Sequence, residues 1–432
     1  MARDSLLSTA NSICRKNFST VCSIALLLII GCLLAAPLSP CHAAAEWTHQ
    51  QEMSKRLDAI VAKGLRDRAY AGAVLLVARR GELIHEQAYG YSRKYSSGHE
   101  LLDHPQPMTT ATLFDVASLT KVFATTFGVM LLVDRGEIAL DAPLATYLPE
   151  FDREQKRHIS IRHLLSHRSG LPPWRPVYCH ATNKTEALAY LAAVPLYAPV
   201  GARYHYSDLN FMLLGYVVET VSGKPLDRFL GEHLYAPLGL QDTSFHPRGR
   251  ASTGIAATSE GNPLELRMAT SGSFGDKCDE SAEVFRRWRR HVLVGEVNDG
   301  NAFYAHQGVA GHAGLFSTAA DLKILVDLLT GHGPCRGQSL ISAGTVKLFL
   351  TPDDLGNGLG WQFRAEVIKV KDAPAGSFGH TGFTGCHVLV VPDREITIIF
   401  LTNRQHEGLV GSDAYPKLDE LRAEIAQTVL SF

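Results

Sequence analysis

The stretch Leu113–Gly136 constrains the fold most, because its residues LFDVASLTKVFATTFGVMLLVDRG are apolar nearly all round. A short apolar approach ends at Ala117, and the periodicity then predicts a helix that begins at Ser118. A helix that is apolar on every side is buried in a core. Gly136 is suited to end this helix, because glycine adopts the left-handed conformation without strain.

Ser118 and Lys121 predict a reactive pair, because residues three apart project from one face of a helix. Ser118 would lie in the first turn, where free backbone N–H groups and the helix dipole favour negative charge. A serine hydroxyl is a weak nucleophile until a neighbouring base takes its proton. Burial is expected to lower the pKa of Lys121 toward a useful range. The alternative is a helix-capping serine followed by a solvated lysine.

Residues 1–45 are interpreted as a targeting segment, either a signal peptide or a membrane anchor. A basic start precedes the apolar run Val21–Ala36, which is shorter than the roughly 20 residues of a spanning helix. Ala43–Ala45 offers a cleavage site ahead of Glu46. Lipid attachment at Cys32 and an uncleaved leader remain as alternatives. The protein is therefore expected in the periplasm, held at the inner membrane if the leader stays.

Composition excludes some classes of function. The chain has 42 lysines and arginines against 43 aspartates and glutamates, so no basic surface for nucleic acid is expected. Four of the eight cysteines lie in the leader, and those that remain can pair in three ways in an oxidising compartment: Cys179, Cys278, Cys335 and Cys386. None of their spacings resembles a metal site.

Strand patterns lie near both ends of the chain after the leader. Gly72–Arg79 and Leu83–Tyr91 predict one hairpin, and Phe378–Val391 and Glu395–Thr402 predict two further strands. Helical patterns fill most of the sequence between them: Ile161–His167, Thr185–Ala193, Leu209–Ser222, Leu226–His233, Ala319–Leu329 and Ser342–Leu350. Gln50–Leu65 and Tyr415–Leu430 predict helices at either end.

These patterns predict a mixed α+β fold within one domain, residues 46–432. Its antiparallel sheet would come from both chain ends, about 66–115 and 375–404, with helices over its faces. A mainly helical insert, about 118–305, would sit beside the sheet.

Two further motifs accompany Ser118. Tyr206-Ser207-Asp208 precedes an apolar helix, where Ser207 or Asp208 could act only as a cap and Tyr206 only as a packed aromatic. Gly379–Gly385 reads GHTGFTG at a strand edge. Clustered glycines there indicate either a backbone that something approaches closely or a simple bulge.

Together the three motifs resemble those of the serine β-lactamase and penicillin-binding protein superfamily: Ser-x-x-Lys, then Ser-Asp-Asn or Tyr-x-Asn, then Lys-Thr-Gly. The tyrosine resembles the class C side of that superfamily, and the whole is closest to exported hydrolases of the penicillin-binding protein 4B type. Four other stretches look like the same branch: His163–Pro172, Pro237–Phe245, Gly308–Thr318 and Leu401–Arg404.

The resemblance implies a role for each matching residue. Ser118 would be the acylated nucleophile, and Lys121 and Tyr206 would share its proton. The backbone N–H groups of Ser118 and Phe383 would form the oxyanion hole. The remaining candidates would bind substrate: Asp208, His380, Thr381, Gly382, Asn403 and Arg404.

Two residues depart from the family pattern. His380 replaces the usual lysine, so a substrate carboxylate would need the imidazolium, and its affinity should fall as pH rises through about 6.5. Asp208 replaces the usual asparagine and cannot donate a hydrogen bond to a carbonyl. If Asp208 approaches Lys121, it would favour the charged lysine and move the base role toward Tyr206. Both changes indicate weak turnover of β-lactams.

The resemblance therefore implies an exported serine hydrolase, foremost a D-alanyl-D-alanine carboxypeptidase-like penicillin-binding protein with weak β-lactamase activity. The alternatives are a carboxylesterase, and a protein that binds penicillin or peptidoglycan with negligible turnover. The expected substrate is a small molecule or a peptidoglycan peptide, and the expected state is a monomer.

A zinc site is a competing interpretation of the histidines His158, His163 and His167, two of which are one helical turn apart. The segment lacks the glutamate that zinc hydrolases carry after their first histidine. No metal and no other cofactor is therefore predicted.

Overall fold

The computed structural model describes residues 40–432 apart from 248–253, 280, 282, 334–339, 369, 371–372 and 412–413. Residues 54–432 form one compact unit. Most of the predicted leader, including its apolar run and Cys32, lies outside the described residues. Within the described ranges, no helix is long and apolar enough to cross a membrane.

The main sheet has six antiparallel strands in the order β3-β2-β1-β8-β7-β6. The strands of the structure are β1 (Gly72–Arg79), β2 (Glu82–Tyr95), β3 (Leu101–Pro107), β4 (Phe114–Asp115), β5 (Phe316–Ser317), β6 (Phe378–Thr381), β7 (His387–Val391) and β8 (Ile396–Thr402). Strand β1 pairs with β8 from Ala73 opposite Thr402 to Arg79 opposite Ile396. The prediction of one sheet built from both chain ends is therefore confirmed.

The predicted strand Phe378–Val391 is wrong in one respect, because the structure divides it into the hairpin β6–β7. The chain reverses over Gly382–Gly385, where the N–H of Gly385 donates to the carbonyl of Gly382 at 3.0 Å. Gly385 has φ 112°, a conformation that favours glycine. The sequence analysis also missed the short pair β4–β5, which leads the chain toward Ser118.

Helices form the rest of the unit. They are α1 (Pro40–Arg66), α2 (Phe127–Asp134), α3 (Ile161–Leu165), α4 (Lys184–Ala193), α5 (Asp208–Ser222), α6 (Leu226–Leu230), α7 (Ala236–Leu238), α8 (Pro263–Ser271), α9 (Glu283–Arg286), α10 (Ala319–Thr330), α11 (Ala343–Phe349), α12 (Ala365–Ile368) and α13 (Asp419–Ser431). Most predicted helices lie within a few residues of these bounds, whereas α8 was not predicted.

The predicted central helix is buried as expected. It begins just after Ser118, widens into π-type turns over Lys121–Thr126 and continues as α2. Every side chain from Lys121 to Leu132 is buried in the main core. Gly136 has φ 72°, so the predicted end in a left-handed glycine is confirmed.

One disulfide is present among the described cysteines, between Cys179 and Cys278. Cys386 is a buried free thiol, and Cys335 lies outside the described residues. The disulfide joins positions 99 residues apart in sequence. It links the short turn Val177–Cys179 to the segment after α8, beside the site described below.

We expect the double variant Cys179→Ala/Cys278→Ala to lose about 3–5 kcal/mol of unfolding free energy, because a cross-link over a long loop restricts the unfolded chain. Urea unfolding followed by circular dichroism would measure the loss. Wild-type protein in reducing agent should match the variant. A variant as stable as the oxidised wild type would contradict the cross-link.

Candidate active site

The chain reaches Ser118 through a strained turn. Ala117 has φ 47°, in the left-handed region that residues other than glycine seldom occupy. The buried carboxylate of Asp115 stabilises this turn, because its Oδ1 accepts the N–H of Ala117 at 2.8 Å. Its Oδ2 accepts the N–H of Asn298 at 2.6 Å. Burial raises the pKa of Asp115 to about 6.

Lys121 lies at the centre of the site and is fully buried. Its Nζ donates to Ser118 Oγ at 2.9 Å and to the carbonyl of His312 at 3.2 Å. The same Nζ lies 2.8 Å from Oδ1 of Asp208 in an ion pair. The first two contacts are hydrogen bonds, and the third brings two opposite charges together.

The expectation that burial lowers the pKa of Lys121 is wrong for the folded protein. Burial by itself lowers this pKa, but the charges of Asp208 and Tyr206 outweigh burial and raise it above the ordinary lysine value. Lys121 is therefore an ammonium at neutral pH and has no lone pair to accept a proton. The predicted approach of Asp208 to Lys121 is present.

Tyr206 stands over the lysine, with Lys121 Nζ 5.0 Å from the centre of its ring. The buried His167 supports it from behind, with ring centres 4.6 Å apart. Nδ1 of His167 accepts the backbone N–H of Ser207 at 3.1 Å, which holds the Tyr206–Asp208 motif at the start of α5. The structure thus brings together Ser118, Lys121, Tyr206 and Asp208.

The Tyr206 hydroxyl lies beside the side chains of Lys121 and Ser118. Burial raises the pKa of Tyr206, while the ammonium of Lys121 opposes this rise. Since Lys121 cannot act as a base, Tyr206 is the group placed to take the proton of Ser118. Tyr206 takes the proton in its phenolate form, which the charge of Lys121 stabilises, and becomes a neutral phenol.

The predicted oxyanion donors face a common space. Neither the backbone N–H of Ser118 nor that of Phe383 donates a hydrogen bond in the described chain. Gly382 packs so closely on the carbonyl of Val116 that a Cβ would clash with it. The hydroxyl of Thr384 donates to the carbonyl of Asp115 at 2.7 Å. The turn after β6 is therefore fixed against the strand that precedes Ser118.

His380 does not provide the cation that the sequence analysis assigned to it. The side chain is buried, and its Nδ1 lies 2.9 Å from the carbonyl of Thr381. Burial and the charge of Lys121 lower the pKa of His380 to about 3. The imidazole is therefore neutral around pH 7. It does not change charge near pH 6.5, so it gives no reason for carboxylate affinity to fall there.

Two further candidate substrate ligands, Asn403 and Arg404, form hydrogen bonds with backbone groups of the protein. Asn403 accepts the N–H of Gly72 at 2.7 Å and donates to the carbonyls of Tyr91 and Ser92, so its amide is used within the sheet. Arg404 donates from Nε and Nη2 to the carbonyl of Phe383 at 3.1 and 2.7 Å. The role of these two residues in binding substrate therefore stays a prediction, and Arg404 holds the turn that carries Phe383.

A cavity of about 190 Å³ opens at Ser118. Sequence reasoning missed several residues of its wall, among them Trp174, Asn262, Glu265, Met268, Asn298, Asp299 and Ala313. Burial and the charge of Asp299 raise the pKa of Glu265 to about 8. Ala313 belongs to the stretch Gly308–Thr318, whose likeness to the family was the only signal that pointed to this wall. Thr381 is partly exposed at the end of β6 and is not among the described lining residues.

The histidines of the competing zinc interpretation are engaged with backbone groups. Nδ1 of His163 accepts the N–H of Ser160 at 3.2 Å, and Nδ1 of His167 accepts from Ser207. In the part of the chain that the structure describes, no three metal-ligating side chains come close enough to hold an ion.

Comparison with known proteins decides the family. The profile of the beta-lactamase family matches residues 57–422. The chain belongs to the beta-lactamase family. The resemblance drawn from the three motifs is therefore confirmed, and the protein is a serine hydrolase of this family.

Its relatives carry different activities in their names. The chain is 35% identical over 372 residues to the N-acetylmuramyl-L-alanine amidase of Bacillus subtilis (strain 168), covering 81% of each protein. It is 33% identical over 376 residues to an Escherichia coli (strain K12) protein provisionally named D-alanyl-D-alanine carboxypeptidase, covering 82% of this chain and 83% of that one. A class C β-lactamase structure from Rhodobacter sphaeroides matches the fold with a TM-score of 0.64 and 19% identity, covering 87% of this chain and 100% of that one.

We expect Asp208→Asn to shift the pH profile of Ser118 acylation downward by at least about one unit. The carboxylate raises the pKa of both Lys121 and Tyr206, so both values fall when it is removed. The burst of p-nitrophenol from p-nitrophenyl acetate, measured from pH 6 to 10, would report the midpoint. Asp152→Asn, the same change at an exposed position, is the control. An unchanged profile in Asp208→Asn would show that this carboxylate does not tune the base.

Proposed function

We propose that this protein hydrolyses an amide bond of peptidoglycan fragments through an acyl-enzyme on Ser118. One observation carries the proposal: Tyr206 and Ser118, which accepts a hydrogen bond from Lys121, line a cavity whose described lining includes no lysine or arginine. The cavity instead carries the carboxyl side chains of Asp208 and two further acidic residues, Glu265 and Asp299.

The chemistry follows from the contacts. Oγ of Ser118 attacks the scissile carbonyl as its proton moves to the phenolate of Tyr206, and the oxyanion is bound by the N–H groups of Ser118 and Phe383. Each such donor is typically worth about 3 kcal/mol of transition-state stabilisation. Tyr206 then gives the proton to the leaving amine, and water hydrolyses the Ser118 ester.

The charges at the cavity favour an amide without a free carboxylate beside it. A carboxylate held there would meet Asp208, whose charge is already paired with Lys121, and the ionised Asp299. The sequence analysis expected His380 or Arg404 to bind such a carboxylate. His380 is neutral, however, and Arg404 donates to the carbonyl of Phe383. An internal bond, such as the one between muramic acid and L-alanine, fits these charges, and the similarity to the Bacillus subtilis amidase supports this choice.

A second candidate is the D-alanyl-D-alanine carboxypeptidase that the three motifs imply. The name of the Escherichia coli relative favours it. The substrate of this reaction has a terminal carboxylate next to the scissile bond, which the acidic side chains of the cavity would repel. The amidase reaction is therefore the preferred candidate.

We also propose that the protein is exported. The disulfide between Cys179 and Cys278 supports this, because disulfides persist in oxidising compartments and are rare in the cytosol. The leader composition points the same way. N-terminal sequencing should find a mature chain that begins near Glu46, whereas a lipid-bearing Cys32 or an intact Met1 would contradict cleavage at Ala43–Ala45.

Mass spectrometry with three substrates tests the reaction. The purified protein should release a peptide amine from N-acetylmuramyl-L-alanyl-D-isoglutamine, and should form a transient adduct on Ser118 with p-nitrophenyl acetate. Ser118→Ala should reduce both reactions at least about a thousandfold, because the nucleophile is lost. Ser431→Ala, at the exposed end of α13, is the matched control.

The products separate the candidates. Release of terminal D-alanine from a pentapeptide, with no cleavage at muramic acid, would replace the amidase by the carboxypeptidase. Turnover of the ester alone would indicate a carboxylesterase.

A further inference from the structure

A second cavity of about 540 Å³ lies on the same unit. Its described wall includes Arg68 and Tyr95 from the region of the first hairpin, Glu260 before α8, and Gln405 and Tyr415 from the end of the chain. This cavity is larger than the one at Ser118. Nothing in the acyl-transfer chemistry accounts for it.

Gln405 is the unusual residue of this wall. It is 1% exposed, and neither its Oε1 nor its Nε2 has a hydrogen-bond partner. The next two residues are fully engaged: Nε2 of His406 accepts the N–H of Lys94 at 3.0 Å, and Glu407 pairs with Lys94 at 2.8 Å. A buried amide without partners is destabilising unless something bound in the cavity satisfies it.

The rest of the wall has little free charge and one aromatic stack. Arg68 is paired with Glu407 at 3.0 Å, and the carboxylate of Glu260 accepts the N–H of Gly98. The rings of Tyr95 and His99 stack with centres 3.8 Å apart. A neutral ligand with both donors and acceptors therefore suits this cavity better than an ion does.

The two cavities share a wall. The segment 259–265 contributes different residues to each, with Glu260 and Pro263 on the second cavity and Asn262 and Glu265 on the one at Ser118. On another side, the ring of Tyr415 packs edge-on against that of Phe383, with centres 5.8 Å apart. A substrate whose carbonyl is bound between Ser118 and Phe383 is thus adjacent to the second cavity.

We propose that the second cavity is a subsite for a neutral, hydroxyl-bearing sugar ring of the substrate, with the Gln405 amide as its main hydrogen-bonding group. An amide offers one acceptor and two donors and so matches neighbouring hydroxyl and acetamido groups. Binding energy gained there, away from the reacting carbonyl, positions the acyl group at Ser118. The identity of the substrate that occupies this subsite rests on the proposed function. The inference that the cavity binds a neutral sugar ring depends only on the residues of its wall.

Kinetics on two matched substrates tests the subsite. One is N-acetylmuramyl-L-alanyl-D-isoglutamine, and the other is the corresponding lactyl peptide, which has the same scissile bond and no sugar. Wild-type kcat/KM should be at least tenfold higher for the sugar-bearing substrate. Gln405→Leu should remove most of this difference while leaving the lactyl peptide and p-nitrophenyl acetate unchanged. Gln87→Leu, on an exposed position of β2, is the matched control.

A binding measurement keeps the subsite separate from the reaction. Methyl N-acetylglucosaminide, titrated calorimetrically into Ser118→Ala, should bind, and its affinity should fall at least tenfold when Gln405→Leu is added. Binding of this sugar with no amide cleavage would uphold the subsite and overturn the proposed substrate. Equal values for the Gln405→Leu and Gln87→Leu proteins in both experiments would show that the cavity holds only water, and would overturn the subsite.

Discussion

The buried ammonium of Lys121 is the group on which the site depends. Removing a charge from water is unfavourable by several kcal/mol unless partners replace the lost hydration. Here the partners are Ser118, the carbonyl of His312 and the carboxylate of Asp208, which come from three distant parts of the chain. The lysine therefore fixes the relative positions of the nucleophile, the start of α5 and the Gly308–Thr318 stretch. It also bears on the proposed mechanism, since an ammonium has no lone pair to accept a proton and leaves the role of base to Tyr206.

Asp115 joins the two halves of the proposed oxyanion hole. Its carboxylate accepts the N–H of Ala117 and so stabilises the strained turn that presents Ser118. Its carbonyl accepts the hydroxyl of Thr384 and so fixes the turn that presents Phe383. Arg404 supports that second turn from the other side, through the carbonyl of Phe383. A single residue thus sets the spacing of the two N–H donors, and the buried contacts around it keep the donors in place before substrate arrives.

Local pattern explains which parts of the molecule could be predicted. The helix after Ser118, strand β1 and the end at Gly136 depend on periodicity and on glycine, which are visible in a single sequence. The motifs indicated the candidate catalytic residues because the spacing within each motif is short. The strand over Phe378–Val391 was misjudged because apolar residues continue on both sides of a glycine turn, and periodicity alone does not separate a long strand from a hairpin.

Properties that depend on contacts between distant parts of the chain could not be predicted from local sequence patterns. The pKa of Lys121 is set by Asp208, 87 positions later in the printed sequence, and burial without that carboxylate would have lowered it. Asn403 and Arg404 follow a strand and so resembled substrate ligands, yet their partners are Gly72, Tyr91, Ser92 and Phe383. The disulfide is a similar case, since the order of cysteines along the chain does not determine which two meet.

The pairing of β1 with β8 has a consequence for how the protein is made. Strand β1 is apolar and almost wholly buried, yet its neighbour on one side, β8, begins only at residue 396. At about 5–20 residues per second, a ribosome needs tens of seconds to supply that partner. During this interval the growing chain contains Ser118 and Lys121 but has a free, aggregation-prone strand edge and no second oxyanion donor. The nascent chain is thus both catalytically silent and dependent on protection until its last strands emerge.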